Sequence, residues 1–182
     1  MRPEEVNEML FAILDTNVVV SYFLSKEDSP PAIIVNEVLK GRIVPVYNSY
    51  LIDEYRKVLS RDEFGFSKSI VNSMLEVIQS LGFGIESFEP MITLQDKKDV
   101  PIFELALLTR DVNALLVTGN VKHFPNVDFV VMPKQMMDLS NDMFKKIEEG
   151  IREARAGNVM TIEETADYIR KEFGFEKKFK EE

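Results

Sequence analysis

The architecture of this chain follows from one stretch, Leu10-Phe11-Ala12-Ile13-Leu14-Asp15-Thr16-Asn17. A short, uninterrupted apolar run that stops at polar residues is typical of a strand buried on both faces, as in a parallel sheet. Asp15 then stands at the carboxyl end of that strand, which is where ligands bind in open parallel sheets. We therefore predict a strand over residues 10–14 with a candidate functional carboxylate directly after it.

The rest of the chain alternates between segments with the apolar pattern of a helix and segments with that of a strand. The predicted helices cover residues 18–24, 33–39, 50–60, 67–81 and 99–110, with Ser49 as the cap of the third. The further predicted strands cover residues 43–46, 82–88, 114–117 and 129–132. Because alternating strands and helices form crossover units, the fold class is α/β, a doubly wound parallel sheet flanked by helices.

From residue 140 the sequence turns to charged, amphipathic helix. Ser140 is a candidate cap for a helix through Arg155, and Gly157-Asn158 is a candidate turn. Thr161-Ile162-Glu163-Glu164 has the pattern of a capping box that opens a second helix. We therefore predict a domain over residues 1–139 and a C-terminal helical hairpin over residues 140–182.

Composition limits the functional classes. The 182 residues are 45% hydrophobic, which suffices for a real core, and no apolar run approaches the length of a membrane span. Because no apolar run could span a membrane and the N-terminus lacks the apolar core of a signal peptide, we expect a cytoplasmic protein without a membrane partner. The absence of cysteine excludes disulfides, thiolate zinc sites and cysteine nucleophiles, which fits a reducing compartment. The formal charge of −9 argues against a nonspecific nucleic-acid binder, but it does not exclude a metal-dependent nuclease.

The most informative single residue is Glu54, which falls within the apolar stripe of its helix. The stripe comprises Leu51, Tyr55, Val58 and Leu59. A charge on such a face needs a partner, and Asp15 and Asp99 likewise adjoin apolar elements that carry no Lys, Arg or His. A shared cation would stabilise all three carboxylates.

Hard oxygen ligands without thiolates or clustered histidines suit Mg²⁺ or Mn²⁺. Such an ion orients a phosphodiester, lowers the pKa of a bound water and neutralises the leaving oxygen. Asp15, Glu54 and Asp99 are thus candidate metal ligands. Asn120 is a candidate neutral ligand or a holder of a metal-bound water.

Each of these residues also has a plainer interpretation. Asp99 is well placed as a helix N-cap, and Asp15 as part of a strand-to-helix turn. Glu54 could form an ion pair or lie at the edge of its stripe; the candidate partners are Arg56, Lys57 and Arg61. His123, the only histidine, is left outside the candidate set, and Ser49 and Thr118 suit caps and turns better than nucleophiles.

Four short sequence motifs, taken in order along the chain, resemble those of a PIN domain, and the resemblance spans about residues 9 to 139. They are Leu14-Asp15-Thr16-Asn17-Val18, Ser49 with Glu54, Asp99-Val100-Pro101-Ile102-Phe103 with Ala106, and Val117-Thr118-Gly119-Asn120 with His123-Phe124-Pro125. The resemblance implies a parallel sheet flanked by helices and a Mg²⁺- or Mn²⁺-dependent ribonuclease, often the toxin of a toxin/antitoxin pair. It implies Asp15, Glu54 and Asp99 as metal ligands, with Asn17 and Thr118 as supports.

The chain departs from the family pattern at Asn120, where many PIN domains carry a fourth acid. The alternative function is therefore a catalytically weak or inactive PIN-like module that binds RNA or a protein partner. A haloacid-dehalogenase-type phosphatase would need an acid at position 17, where this chain has Asn17. A receiver domain would need an acidic pair near its phosphoacceptor, which the segments before Asp15 and Asn120 lack.

The terminal segment is similar to the end of small antitoxins, where a helix, a glycine and a Thr/Ser-x-Glu-Glu helix start follow one another. One hypothesis is that residues 141–182 pack on the PIN-like domain in cis or on a second subunit and restrict the acidic crevice. The other is that they only complete the core. The expected partners are an RNA substrate, an antitoxin protein and, by analogy, a second copy in a homodimer.

Overall fold

The architecture is that of a computed structural model, which describes residues 9–86 and 92–157. Its strands are β1 (Leu10–Leu14), β2 (Ile43–Tyr47), β3 (Phe83–Gly84), β4 (Leu115–Val117) and β5 (Val130–Val131). Its α-helices are α1 (Thr16–Leu24), α2 (Pro30–Leu39), α3 (Ser49–Leu59), α4 (Lys68–Leu81), α5 (Val100–Leu108) and α6 (Pro133–Arg155). Short 3₁₀ turns cover Asp62–Phe64, Arg110–Val112 and Val121–His123.

The five described strands form one sheet in the order β3-β2-β1-β4-β5, and every pairing is parallel. The chain builds outward from β1 on one side through β2, and on the other side through β4. The order of the strands therefore reverses between β1 and β4, where Leu14 lies beside Val117. This is the kind of position at which open α/β sheets form their ligand crevice. The predicted fold class is confirmed.

The core lies around β1, whose residues from Phe11 to Leu14 are all buried, as the apolar run predicted. The helices α1, α2, α3 and α4 pack against one another, while α5 packs on β1 and β4. Gly82 allows α4 to meet β2 closely, because a Cβ atom there would lie 2.3 Å from the carbonyl oxygen of Pro45. The helix α5 also contacts α3, which brings two candidate site residues toward each other.

Two predicted helix starts are wrong. The cap of α3 is Asn48, whose side-chain oxygen accepts a hydrogen bond from the Leu51 amide at 2.8 Å, and Ser49 is already the first helical residue. Ser140 does not cap a helix either. It lies inside α6, buried, with its hydroxyl donating to the Met137 carbonyl at 2.8 Å, because α6 begins earlier, at Pro133.

The chain divides into two compact units, Met1–Ser140 and Asn141–Glu182. In the second unit the described residues continue α6 to Arg155. The second helix of the predicted hairpin, with its capping box over residues 161–164, lies outside the described residues, as do residues 87 and 88 of the third predicted strand. Within residues 9–86 and 92–157, no helix combines the length and apolarity that a membrane crossing requires.

Candidate active site

Asp15 lies at the switch point between β1 and β4, within a hydrogen-bonded cluster of polar side chains. Its Oδ2 atom accepts a hydrogen bond from the Thr118 hydroxyl at 2.6 Å and another from the Asn17 side-chain amide. Asn17 also reaches β4, because its Oδ1 accepts from the Gly119 amide at 2.9 Å. The Thr118 hydroxyl in turn accepts from the Asn120 amide at 2.9 Å. This cluster fixes one carboxylate oxygen of Asp15 and joins the segment after β1 to the segment after β4.

Glu54 is positioned by its own helix and by two anchors near it. The neighbouring Tyr55 is buried, and its hydroxyl donates to the Leu14 carbonyl at the end of β1. Asn48, at the start of α3, donates to the Pro101 carbonyl at 3.2 Å, which joins α3 to α5. The helix that carries Glu54 is therefore fastened both to the Asp15 strand and to the Asp99 helix.

The ion-pair interpretation of Glu54 does not hold within the described part of the chain. Arg56 pairs with Asp53 at 2.7 Å, and Arg61 lies 3.6 Å from Glu63. Glu54 is half-buried at the edge of the apolar stripe, so the edge placement is correct. The Thr16 hydroxyl approaches its carboxylate more loosely than a full hydrogen bond requires.

Asp99 occupies the N-cap position of α5, but its side chain makes no capping hydrogen bond. It lies instead beside His123, with 3.2 Å between Asp99 Oδ2 and His123 Nδ1. Asp15 likewise stands at the N-cap position of α1 without a capping hydrogen bond. Capping therefore does not account for either carboxylate.

Burial raises the pKa of all three carboxyl groups, and repulsion from neighbouring carboxylates adds to the rise for Glu54 and Asp99. Burial is the largest cause for each, and the Thr118 hydrogen bond opposes the rise in the pKa of Asp15. The charges of Asp15 and Asp99 further raise the pKa of Glu54, whereas Lys98 lowers it. The charge of Asp15 also raises the pKa of Asp99, which His123 opposes. The three carboxylates thus share one electrostatic environment, here called the acidic site.

The donor set suits a hydrated divalent cation better than a close cage. Among residues 9–86 and 92–157, no three acidic or histidine side chains are gathered tightly enough to ligate one ion directly. Mg²⁺ keeps several waters and needs only one or two carboxylates. An ion in the acidic site would relieve the repulsion that raises the pKa values of Glu54 and Asp99. The residues therefore fit a divalent metal in chemistry, held partly through water.

The other predicted residues lie close by. Thr118 is buried at the end of β4, while Asn120 follows it on an exposed turn and precedes the 3₁₀ turn Val121–His123. Ser49 faces the other way, toward Glu86, with its hydroxyl 2.8 Å from Glu86 Oε2.

Sequence reasoning missed three residues at the acidic site. His123 contacts Asp99 from 24 residues further along the chain. The charge of Lys98 lowers the pKa of Glu54. Burial, followed by the charges of Glu54 and Asp99, raises the pKa of Tyr50. The position of Lys98 directly before Asp99 was an available signal, since both belong to the start of α5. His123 could be placed only with the sheet order, which brings the β4 loop beside α5.

Comparison with known proteins agrees with this fold. A family model described as PIN domain matches residues 12–122, which is more than half of the chain and includes all of the candidate site residues. No curated protein and no solved structure matches the chain. PIN domains are generally nucleases and typically use divalent metals. Because this match covers more than half of the chain and the fold agrees with it, the chain belongs to the PIN domain family of the nuclease superfamily.

Proposed function

We propose that this protein is a metal-dependent endoribonuclease that hydrolyses RNA phosphodiester bonds. The observation that carries the proposal is the convergence of Asp15, Glu54 and Asp99, from three separate elements, on one acidic site at the switch point of the sheet. Partly buried like charges are costly to assemble without a compensating cation, and perturbed pKa values are typical of functional sites.

In this proposal Asp15, Glu54 and Asp99 hold Mg²⁺ or Mn²⁺, and Asn120 completes the catalytic set as a neutral group. When bound, the ion supplies an activated water and neutralises charge on the phosphate. The three carboxylates balance the charge of the ion and fix its position relative to the substrate. Asn120 can orient a water or a phosphate oxygen through its amide, but it cannot add the charge of a fourth acid.

Asn17 and Thr118 act as supporting residues in this scheme. Their hydrogen bonds hold Asp15 Oδ2 and keep the carboxylate in one orientation. Ligands fixed in this way keep a metal and its water in a productive geometry. The Asn17 bond to the Gly119 amide extends that support to the loop that carries Asn120.

A second candidate function is a catalytically weak or inactive module that binds RNA or a protein partner. Asn120 in place of an acid and the spacing of the carboxylates favour it, because both reduce the charge close to an ion. In that case the acidic site would still bind a metal, and no RNA would be cut.

The wider biological role rests on resemblance. We propose that the PIN-like domain of residues 1–139 is the toxin component of a toxin/antitoxin system in the cytoplasm, and that it functions as a homodimer. The antitoxin-like pattern of residues 140–182 supports this proposal, as does the apolar and charged periodicity of α6.

The first experiment is cleavage of a mixed panel of small structured RNAs by the purified full chain with Mn²⁺, Mg²⁺ or EDTA. Asp15→Asn is the test variant because it removes the charge and keeps the shape. Asp28→Asn is the matched control, since Asp28 is exposed and lies in the loop before α2. We expect cleavage that requires metal, is lost in Asp15→Asn and persists in Asp28→Asn.

Equal inertness of the wild type and Asp15→Asn on every RNA would refute the nuclease proposal. Metal binding measured by calorimetry then identifies what remains. Mn²⁺ binding that is lost in Asp15→Asn, without cleavage, would establish the noncatalytic module.

A further inference from the structure

We propose that a cavity beside Glu54 binds one nucleotide of a single-stranded RNA, next to the phosphate that is cut. The cavity has a volume of about 260 Å³, and Glu54 lines it together with Tyr50, Lys57, Arg61 and Lys98. This inference rests on the proposed nuclease function and names how that site holds its substrate. We call this cavity the nucleotide subsite.

Three cations meet at the nucleotide subsite in a protein of charge −9. Lys57 and Lys98 form no ion pair with any residue of the described ranges, and the Arg61 pair with Glu63 is long, at 3.6 Å, and exposed. Asp53 also lines the cavity, but its carboxylate is paired with Arg56 at 2.7 Å. Lys57 and Lys98 thus supply positive charge that no described carboxylate holds in an ion pair, as the binding of a phosphate backbone requires.

Tyr50 connects the nucleotide subsite to the acidic site. Its hydroxyl donates to the Lys98 carbonyl at 3.4 Å, and the charges of Glu54, Asp96 and Asp99 raise its pKa after burial does. The side chain is 39% exposed, so its ring is accessible to a ligand. An exposed aromatic ring beside cations is the usual platform on which an unpaired base stacks.

Lys98 sets the order of the groups along the RNA. It acts on the Glu54 carboxylate and precedes Asp99 in the chain, so a phosphate bound by Lys98 lies beside the acidic site. The adjacent base would then reach Tyr50, and the next phosphate would approach Lys57 and Arg61. A volume of about 260 Å³ accommodates roughly one nucleotide, which favours a single strand over a duplex.

A plainer interpretation is that the long cationic side chains only cover Val58, which also lines the cavity, and keep α3 in solution. The two interpretations differ in their salt dependence. A side chain that neutralises a phosphate on a single strand contributes about 0.7 to the slope of log affinity against log salt, whereas one that covers apolar surface contributes nothing.

The test measures the anisotropy of a labelled short single-stranded RNA as a function of salt, with Mg²⁺ present. Every protein is the full chain with Asp15→Asn, which prevents cleavage during the measurement. The variants are Lys57→Gln, Arg61→Gln, Tyr50→Ala and Tyr50→Phe, with Lys68→Gln as the control because Lys68 is exposed at the start of α4. Circular dichroism confirms that each variant is folded.

We expect Lys57→Gln and Arg61→Gln each to lower the salt slope by about 0.7 and the affinity several-fold. Tyr50→Ala should weaken binding by roughly 5- to 100-fold with the slope unchanged, and Tyr50→Phe should bind as the parent does, because stacking needs only the ring. Lys68→Gln should match the parent. Equal affinities and slopes for Lys57→Gln, Tyr50→Ala and Lys68→Gln would overturn the nucleotide subsite.

Cleavage assays on the same substitutions in an otherwise wild-type chain separate the two proposals. If the wild type cuts RNA and the subsite variants bind as the control does, only the nucleotide subsite is wrong. If the binding pattern is as expected and the wild type does not cut, the subsite is supported and the nuclease proposal fails.

Discussion

At the scale of single residues, the balance between burial and repulsion governs the acidic site. Asp15 is compensated by hydrogen bonds from Asn17 and Thr118, so its charge has local support. Glu54 has weaker support, from the Thr16 hydroxyl and Lys98, while the charges of Asp15 and Asp99 act against it. Glu54 is therefore the carboxylate whose removal should most increase the stability of the metal-free protein.

We expect Glu54→Gln to raise the melting temperature in EDTA by about 2–4 °C, which corresponds to ~1 kcal/mol in a chain of this size. The reason is the loss of a charge that the fold disfavours. Thermal unfolding followed by circular dichroism measures the shift. Asp53→Asn is the matched control, because Asp53 is exposed and its pair with Arg56 should contribute little. A lower melting temperature for Glu54→Gln would contradict the repulsion argument.

The raised pKa values also predict how stability depends on pH. A carboxyl group whose folded-state pKa is raised binds its proton more tightly when folded, so it adds stability at low pH that is lost as pH rises through the folded pKa. In EDTA, the advantage of Glu54→Gln over the wild type should therefore shrink as pH falls from neutrality toward the ordinary Glu value of 4.5. Melting curves at a series of pH values test this. An advantage that grows with acidification would mean that the sign is wrong.

At the scale of elements, the start of α3 links the two helices that carry Glu54 and Asp99. Asn48 caps α3 and also donates to the Pro101 carbonyl of α5, so one side chain serves the elements of both Glu54 and Asp99. Ser49, its neighbour, contacts Glu86 instead. The two adjacent polar residues thus have different roles that substitution can separate.

Asn48→Ala should lower the free energy of unfolding by about 1–2 kcal/mol, because it removes the cap and leaves the part-buried Pro101 carbonyl without its donor. Ser49→Ala should lower it by less than about 0.5 kcal/mol, since its contact is exposed. Urea denaturation measures both. If the two losses are equal, Asn48 does not have the capping role that its geometry gives it.

The sequence predicted the elements well and their ends less well. The β1 run and the alternation of strands and helices were sufficient for the parallel sheet, because apolar periodicity reports which faces are buried. Ser49 and Ser140 were chosen as caps by residue type alone, and the structure uses Asn48 and Pro133 as the starting points instead. Local preference cannot tell which of several good capping residues the tertiary fold selects.

The site was predictable where its residues adjoin apolar elements and unpredictable where they come from loops. Asp15, Glu54 and Asp99 were found because a charge next to a buried element is costly. Lys98 and His123 are exposed polar residues in ordinary contexts, and only the tertiary structure reveals that they face Glu54 and Asp99. The roles proposed for all of these residues stay predictions until the cleavage and binding experiments are done.

At the scale of the whole molecule, α6 makes the boundary between the two units a poor place to cut the chain. The helix runs unbroken from Pro133 to Arg155, and it crosses the predicted boundary after residue 139. Its first turns carry Met136, which is fully buried. Removing everything after residue 139 would therefore leave a helix of about two turns, which is too short to be stable by itself.

A chain that ends at Leu139 should be less stable than one that ends at Gly157 by at least about 1 kcal/mol, because the shortened α6 frays and the buried Ser140 is lost. Urea denaturation of the two truncated chains measures the difference. The chain that ends at Gly157 is then the proper one for asking whether residues 158–182 restrict cleavage. Equal stability of the two would show that α6 contributes nothing beyond Leu139.

The central position of β1 has a consequence for synthesis on the ribosome. Once β1 has emerged it must wait for its partner β4, because the Thr118 hydroxyl that holds Asp15 lies 103 residues further along the chain. At a translation rate of about 5–20 residues per second, that delay is roughly 5–20 s. During this delay the nascent polypeptide lacks β4 and the Thr118 hydroxyl that binds Asp15. A growing chain is therefore unable to assemble the acidic site beside the messenger RNA that encodes it until most of the domain has been made.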